Sequence, residues 1–81
     1  MADPYATVCV SGGFDPIHEG HVSYLKSAKK LGDILIIALN SDEWLVRKKG
    51  RQFMNWSSRK AILSEFNDVD SIIQFDDSDD S

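Results

Sequence analysis

The residues of this chain most suited to chemistry lie in one stretch, Gly-Gly-Phe-Asp-Pro-Ile-His-Glu-Gly-His, which begins at Gly12. Its histidines, His18 and His21, are three positions apart, so on a helix both rings lie on one face. Gly12 and Gly13 allow the backbone to approach a ligand closely, and Gly20 has no side chain to block a bulky anion. Imidazole donors, glycines and the free amides of a helix start together form a cradle for phosphoryl oxygens.

The histidine pair also has two other interpretations. A metal site needs three or four ligands, but the chain contains 2 histidines and 1 cysteine, and the spacing differs from the i, i+4 pair of zinc peptidases. Alternatively, the pair is purely structural, with each histidine capping the helix start. The glycines before the turn favour the anion interpretation over both, and no metal site is predicted.

Three strands are predicted, and the turn that contains these histidines follows the first of them. Residues 5–10 are rich in β-branched and apolar side chains, and a Ser-Gly-Gly sequence then breaks the pattern. Residues 34–39 form a continuous apolar run, whose lack of alternation predicts a strand buried on both faces. A third short strand is predicted over residues 71–75.

Helices are predicted between these strands. In residues 19–31 apolar residues recur every three positions, which predicts a helix with one buried stripe. Ser41 is a capping residue for a short helix over residues 43–46. Residues 47–56 are predicted to be a loop, after which Ser57 caps a third helix. The residues expected in the core from these helices and the first strand are Val22, Leu25, Ala28, Leu31, Ile62, Leu63, Phe66 and Cys9.

The alternation of strands and helices predicts an α/β fold. Right-handed crossovers place the strands in parallel, with the first and third at opposite edges. This β-α-β-α-β arrangement is the Rossmann-like half of a doubly wound parallel sheet, in which ligands bind beyond the carboxyl ends of the strands. The turn that contains His18 and His21 lies at such an end.

Composition and charge disfavour several kinds of partner. The chain has 13 acidic and 9 basic residues and a net charge of −4, and four of the acids lie in residues 76–81. The remainder is therefore neutral, which disfavours nucleic-acid binding, although a basic cluster at residues 47–51 is large enough for one triphosphate. No apolar run approaches the ~20 residues of a membrane span. Since the N-terminus also lacks a secretory pattern, a cytoplasmic location without membrane contact is expected.

The stretch that begins at Gly12 resembles the signature of the nucleotidylyltransferase superfamily, with its His-x-Gly-His core. Heptose-1-phosphate adenylyltransferases are the most similar family, followed by glycerol-3-phosphate cytidylyltransferases. The latter carry Arg-Tyr-Val-Asp where this chain has Asn-Asp-Val-Asp from Asn67, which favours the sugar-phosphate kind. The resemblance extends along nearly the whole chain, through residues 22–25, 28–33 and 38–42, Lys49, Gly50, Asn55, Arg59, Val69 and Asp70.

The resemblance implies a nucleotidyltransferase. Such an enzyme transfers AMP or CMP from ATP or CTP to a phosphorylated small molecule, such as a sugar phosphate, and releases pyrophosphate, with Mg²⁺ carried by the nucleotide. His18 and His21 match the pair that binds the triphosphate and stabilises the transition state, and Lys49 matches the loop lysine that neutralises phosphate charge. These are the expected catalytic residues. The expected nucleotide-binding residues are Gly12, Gly13, Phe14, Asp15, Gly20, Lys48 and Arg59. Asp15 is expected either to orient a loop amide or to face Mg²⁺.

The resemblance also suggests how the chain is divided. Residues 1–75 are assigned to a nucleotide-binding α/β domain, and residues 76–81 to an acidic tail or to the start of a missing second half. Two later family motifs, a Ser/Thr-rich turn and a Lys-Gly-Gly-Asp-like segment, do not occur in the 81 residues, so the chain is expected to be an N-terminal portion. The alternative to an enzyme is a non-catalytic module that binds nucleotide phosphates, or a fragment that lacks half of the active site. The uncovered flank of a half-sheet would also suit a homodimer.

Overall fold

The computed structural model describes residues 6–76. Its strands form one parallel sheet in the order β1-β2-β3, which confirms the predicted α/β class and the Rossmann-like half-sheet. Residues 1–5, with the start of the predicted first strand, and residues 77–81 of the predicted acidic tail lie outside the described residues. The elements in chain order are β1 (Thr7–Gly12), α1 (Glu19–Lys29), β2 (Ile34–Asn40), α2 (Asp42–Lys49), α3 (Trp56–Ser64) and β3 (Ser71–Phe75).

The hydrophobic core lies between β2 and two helices on one face of the sheet. Leu35, Ile37 and Leu39 alternate along β2 and are fully buried. They share one cluster with Leu25 of α1 and Leu63 of α3, which are also fully buried. Burial of each such side chain stabilises the fold by roughly 1.5–3 kcal/mol, so this cluster holds α1 and α3 against the sheet.

The opposite face of the sheet is only partly covered by the described residues. On this face of β2, Ile36 is half-buried, whereas Ala38 is 4% exposed and Asn40 is 3% exposed. The prediction that β2 is buried on both faces therefore holds for its carboxyl-terminal part, and Ile73 of the neighbouring β3 is 49% exposed. Cys9 pairs with Ile36 in the parallel register, and paired residues of neighbouring strands share a face because side chains alternate with a period of two. Cys9 is therefore exposed, and the prediction of a core cysteine was wrong.

The ends of α1 and α2 differ from the predictions. α1 ends at Lys29, so Leu31 lies in the following turn and is 75% exposed instead of joining the buried stripe. α2 continues to Lys49, into the segment that was predicted to be a loop. Gly50 then ends α2 in the left-handed conformation, with a φ of 87° that glycine adopts without strain.

The start of α3 also differs from the prediction. Asn55 is the N-cap in place of Ser57, and its side chain accepts a hydrogen bond from Ser58 N at 2.8 Å. Leu63 faces the core as predicted, whereas Ile62 is 41% exposed. None of the helices in residues 6–76 is long and apolar enough to cross a bilayer.

Asp70, immediately before β3, connects that strand to β2 and α1. Its Oδ2 accepts hydrogen bonds from Lys29 Nζ at 2.9 Å and from Leu35 N at 2.8 Å. The bond from Lys29, followed by the bond from the Leu35 amide, holds the pKa of Asp70 below its ordinary value of 3.8. The carboxylate form of Asp70 is therefore the form that stabilises the fold.

Asp70→Asn is expected to lower the free energy of unfolding near neutral pH. A carboxyl group whose pKa is depressed in the folded chain stabilises above its unfolded pKa, and the contribution is lost as pH falls through the folded pKa. The wild type should therefore lose more stability than the variant as pH falls below 3.8. Urea unfolding at a series of pH values measures this, with Asp68→Asn as the matched control. Parallel stability curves for the wild type and Asp70→Asn would contradict the prediction.

Candidate functional site

Two histidines close the amino-terminal end of α1 with reciprocal hydrogen bonds. His18 is the N-cap, and its Nδ1 accepts a hydrogen bond from Gly20 N at 3.1 Å. His21 accepts from His18 N through its own Nδ1, also at 3.1 Å. This is a capping box in which histidines take the places of Ser or Thr and Glu. Both rings therefore cap the helix start, and these bonds use only their Nδ1 atoms.

The capping bonds also determine which ring nitrogens remain for a ligand. A nitrogen that accepts a hydrogen bond carries no proton, so each neutral ring holds its proton on Nε2. Burial, and then the charge that His18 carries when protonated, lower the pKa of His21 below its ordinary value of 6.5. The rings stack with their centroids 4.0 Å apart. At neutral pH the pair thus offers Nε2–H donors in addition to the amides of the helix start.

Phe14 supports the ring of His21 from the β1–α1 loop. Its φ of 51° lies in the left-handed region, which is unusual for a bulky residue and costs about 1–3 kcal/mol. The Phe14 side chain is 5% exposed, and its ring centroid lies 4.7 Å from that of His21. Core packing therefore holds a strained backbone in place and fixes the position of the His21 ring.

The position between the histidines requires glycine for a steric reason. A Cβ at this position would lie 2.9 Å from Cε1 and 3.1 Å from Nδ1 of His18. Both distances are shorter than ordinary van der Waals contacts, so any side chain here would displace the His18 imidazole. Glycine at this position keeps that ring in its capping orientation.

Both histidine rings line an open cleft of about 360 Å³ at the carboxyl end of the sheet. The cleft brings together six of the predicted site residues, Gly13, Phe14, Asp15, His18, His21 and Lys49. Four other predicted residues, Gly12, Gly20, Lys48 and Arg59, are not in its wall.

Lys49 reaches the cleft from the last turn of α2 and not from a loop. Its Nζ donates to Asp15 O at 2.6 Å, and an ammonium group has further N–H donors for an anion. Asp15 is buried, and its carboxylate oxygens accept hydrogen bonds from Phe53 N and Met54 N, each at 2.7 Å. Of the two roles expected for Asp15, this geometry supports the orientation of loop amides.

Arg59 joins two loops and the carboxyl end of β2 next to the cleft. Its side chain is fully buried, and its guanidinium donates to Gly13 O at 2.8 Å, Asn40 O at 2.7 Å and Met54 O at 3.1 Å. The guanidinium also pairs with Asp42 Oδ1 at 2.8 Å. In this arrangement Arg59 positions the loops that form the site, and its direct contact with a nucleotide stays a prediction.

The family of the chain follows from comparison with known proteins. A family model described as cytidylyltransferase-like matches residues 9–79. The chain belongs to the cytidylyltransferase-like family. A solved structure, the lipopolysaccharide core biosynthesis protein from Thermoplasma volcanium GSS1, superposes on this cytidylyltransferase-like chain with a TM-score of 0.80. The two are 36% identical, and the match covers 94% of this chain and 62% of that protein.

Curated relatives of this cytidylyltransferase-like chain are much longer than it is. The bifunctional protein HldE of Actinobacillus succinogenes is 48% identical over 71 residues, which are 85% of this chain and 15% of that protein. HldE of Pasteurella multocida is 47% identical over 70 residues, which are 84% of this chain and again 15% of the relative. The chain therefore spans about 15% of the length of these relatives.

Two residues at the site of this cytidylyltransferase-like domain were not predicted from the sequence. Asp42 pairs with Arg59 over a separation of 17 residues, and no local pattern connects the two. No role at the site was predicted for Trp44, but it lines the cleft. Its place in the helix that follows β2 is the signal that could have revealed it, because ligands bind beyond the carboxyl ends of parallel strands.

Proposed function

We propose that this domain binds a nucleoside triphosphate with its Mg²⁺ and transfers the nucleotidyl group to a phosphorylated small molecule. The observation that carries the proposal is the His18–His21 pair, whose capping bonds leave Nε2–H donors at the start of α1, in the cleft that Lys49 also reaches. A helix start carries about half a positive charge. Donors, helix dipole and ammonium group thus converge where an anion would bind.

The proposed reaction is an in-line displacement at phosphorus. An oxygen of the acceptor phosphate attacks the α-phosphorus of the triphosphate, the bond from that phosphorus to the pyrophosphate oxygen breaks, and pyrophosphate leaves. Such transfers are catalysed mainly by positioning and charge stabilisation. In this proposal His18 and His21 donate to the oxygens on which charge develops, and Lys49 neutralises the triphosphate.

Mg²⁺ belongs to the substrate in this proposal. In residues 6–76 no group of three or more His, Cys, Asp or Glu residues could hold a metal ion, and both carboxylate oxygens of Asp15 already accept backbone amides. A metal that arrives bound to triphosphate oxygens needs no such cage. The acceptor is proposed to be a sugar phosphate, which the resemblance to heptose-1-phosphate adenylyltransferases supports, and the nucleotide to be ATP or CTP.

A second candidate is a module that binds nucleotide phosphates without turnover. The chain spans 62% of the solved protein and about 15% of HldE. Both candidates use the same cleft and the same anion-binding groups. They differ in whether the 81 residues also position an acceptor.

Calorimetric titration of the chain with ATP or CTP, each with Mg²⁺, tests the shared part of the proposal. We expect one of the nucleotides to bind and inorganic tripolyphosphate to compete with it, because the cleft recognises the triphosphate. Pyrophosphate release in the presence of a hexose 1-phosphate then distinguishes the enzyme from the binding module. If neither nucleotide nor tripolyphosphate binds, both candidates are wrong for this chain.

Gly20→Ala should separate binding from stability. The added methyl group displaces the His18 ring and should weaken nucleotide binding by about tenfold, the effect of one hydrogen bond to a charged group. The fold should persist, because alanine favours a helix over glycine by up to ~1 kcal/mol. Calorimetry and thermal unfolding measure the two effects. Ser23→Ala, at an exposed position of α1, should change neither, and an unchanged affinity in Gly20→Ala would contradict the steric role.

A further inference from the structure

Trp44 carries a polar group that the fold leaves without a partner. It lies in the first turn of α2, where its backbone N–H donates to Ser41 Oγ at 3.1 Å. Its half-buried side chain lines the cleft together with His18 and Lys49. The indole Nε1 is buried, and no acceptor in the described part of the chain bonds it. Buried donors without an acceptor are rare in folded proteins, because they lose their water and gain nothing in return.

The other tryptophan shows how the fold treats an indole with a structural role. Trp56 packs against the core, and its Nε1 donates to Leu39 O at 3.1 Å. A lysine ammonium lies near each ring, Lys48 at 5.9 Å from the centroid of Trp44 and Lys60 at 5.4 Å from that of Trp56. The two indoles therefore differ in whether the Nε1–H has an acceptor and in whether the ring lines the cleft. They do not differ in the presence of a neighbouring ammonium group.

We propose that Trp44 is a ligand-binding residue of the cleft, whose indole N–H donates to an oxygen of the bound phosphorylated molecule. The inference rests on the proposed function. An indole N–H is only a donor, and an anionic oxygen is the acceptor that bonds it most strongly. The ammonium of Lys48 near the ring adds positive charge that suits a phosphate. Because the ring borders an open cleft, rotation about its side-chain bonds brings the N–H to the ligand and relieves the cost of the unpaired donor.

The acceptor oxygen could belong to either substrate. The triphosphate of ATP or CTP and the phosphate of the small-molecule acceptor offer the same chemistry to an indole N–H. Separate titrations distinguish the sources, with ATP and CTP, each with Mg²⁺, in one arm and glucose 1-phosphate in the other. Trp44→Phe retains an aromatic ring of similar shape and removes only the N–H and the second ring, and Trp56→Phe is the matched control.

Trp44→Phe is expected to weaken binding in one arm by about tenfold, the effect of one hydrogen bond to a charged group, while Trp56→Phe binds as the wild type does. A loss in the nucleotide arm assigns the bond to the triphosphate, and a loss in the glucose 1-phosphate arm assigns it to the acceptor. The chain has 2 tryptophans, so the emission of Trp56→Phe comes from Trp44 alone. That emission should change when the same ligand is added.

Thermal unfolding gives a readout that does not depend on a ligand. Trp56→Phe should lower the melting temperature, because it loses the bond to Leu39, whereas Trp44→Phe should not. If Trp44→Phe lowered the melting temperature as much as Trp56→Phe does, the Trp44 indole would have an acceptor within the fold, and the inference would be overturned. Unchanged affinity of Trp44→Phe for every ligand, with wild-type binding intact, would overturn the role of Trp44 and leave the proposed function standing. Absence of any binding by the wild type would overturn both.

Discussion

Replacing Arg59 with alanine is expected to lower the free energy of unfolding by about 3–5 kcal/mol, because it removes a fully buried guanidinium that bonds three carbonyl oxygens and pairs with the partly exposed Asp42. The carbonyl oxygens of Gly13, Asn40 and Met54 lose their common donor, and Asp42 loses its charge partner. Small domains have roughly 0.05–0.15 kcal/mol of stability per residue. A loss of this size would therefore remove a large part of the stability of so small a domain.

Urea unfolding followed by circular dichroism measures the effect of Arg59→Ala. Arg59→Lys should show a smaller loss, because lysine keeps the charge but lacks the planar group that reaches several acceptors at once. Arg47→Ala, at an exposed position of α2, is the control and should stay within about 0.5 kcal/mol of the wild type. If Arg59→Ala were as stable as this control, the buried guanidinium would not hold the loops together.

His21→Ala is expected to have the largest effect on function. Removal of one donor that faces developing negative charge typically slows catalysis by about 10²–10³-fold, and His21 also supports the cap of α1 by accepting from His18 N. We therefore expect pyrophosphate release to fall by that factor and nucleotide affinity to fall with it. The lost cap should lower the free energy of unfolding by only about 1 kcal/mol, so the fold should remain intact.

Asn55→Ala is the matched control for His21→Ala. It removes a side-chain cap of similar strength, from the start of α3, but no group in the cleft wall. Its stability should fall by about as much as that of His21→Ala, namely about 1 kcal/mol, while turnover and nucleotide affinity stay at the wild-type level. Equal functional losses in the two variants would show that His21 acts only through the stability of its helix.

Much of the fold could be predicted because its signals are local. The third strand was predicted over residues 71–75, and β3 has those bounds; the second was predicted over residues 34–39, one residue shorter than β2. Apolar runs, helix caps and glycines that end helices depend on residues within a few positions of each other, so they can be recognised in the printed sequence. The capping interpretation of His18 and His21 was accessible for the same reason, because its bonds join residues three positions apart.

The arrangement around the cleft was decided by the tertiary structure. Arg59 bonds Gly13 across 46 residues and Asp15 bonds Met54 across 39, and no periodic pattern encodes contacts between loops that meet only at the carboxyl end of a folded sheet. The exposure of Cys9 likewise depends on which face of the sheet the helices cover. The sequence alone therefore determined the elements, the family resemblance and the histidine pair. Only the packed chain decided that Arg59 is buried and that Trp44 lines the cleft, because both depend on contacts between distant segments.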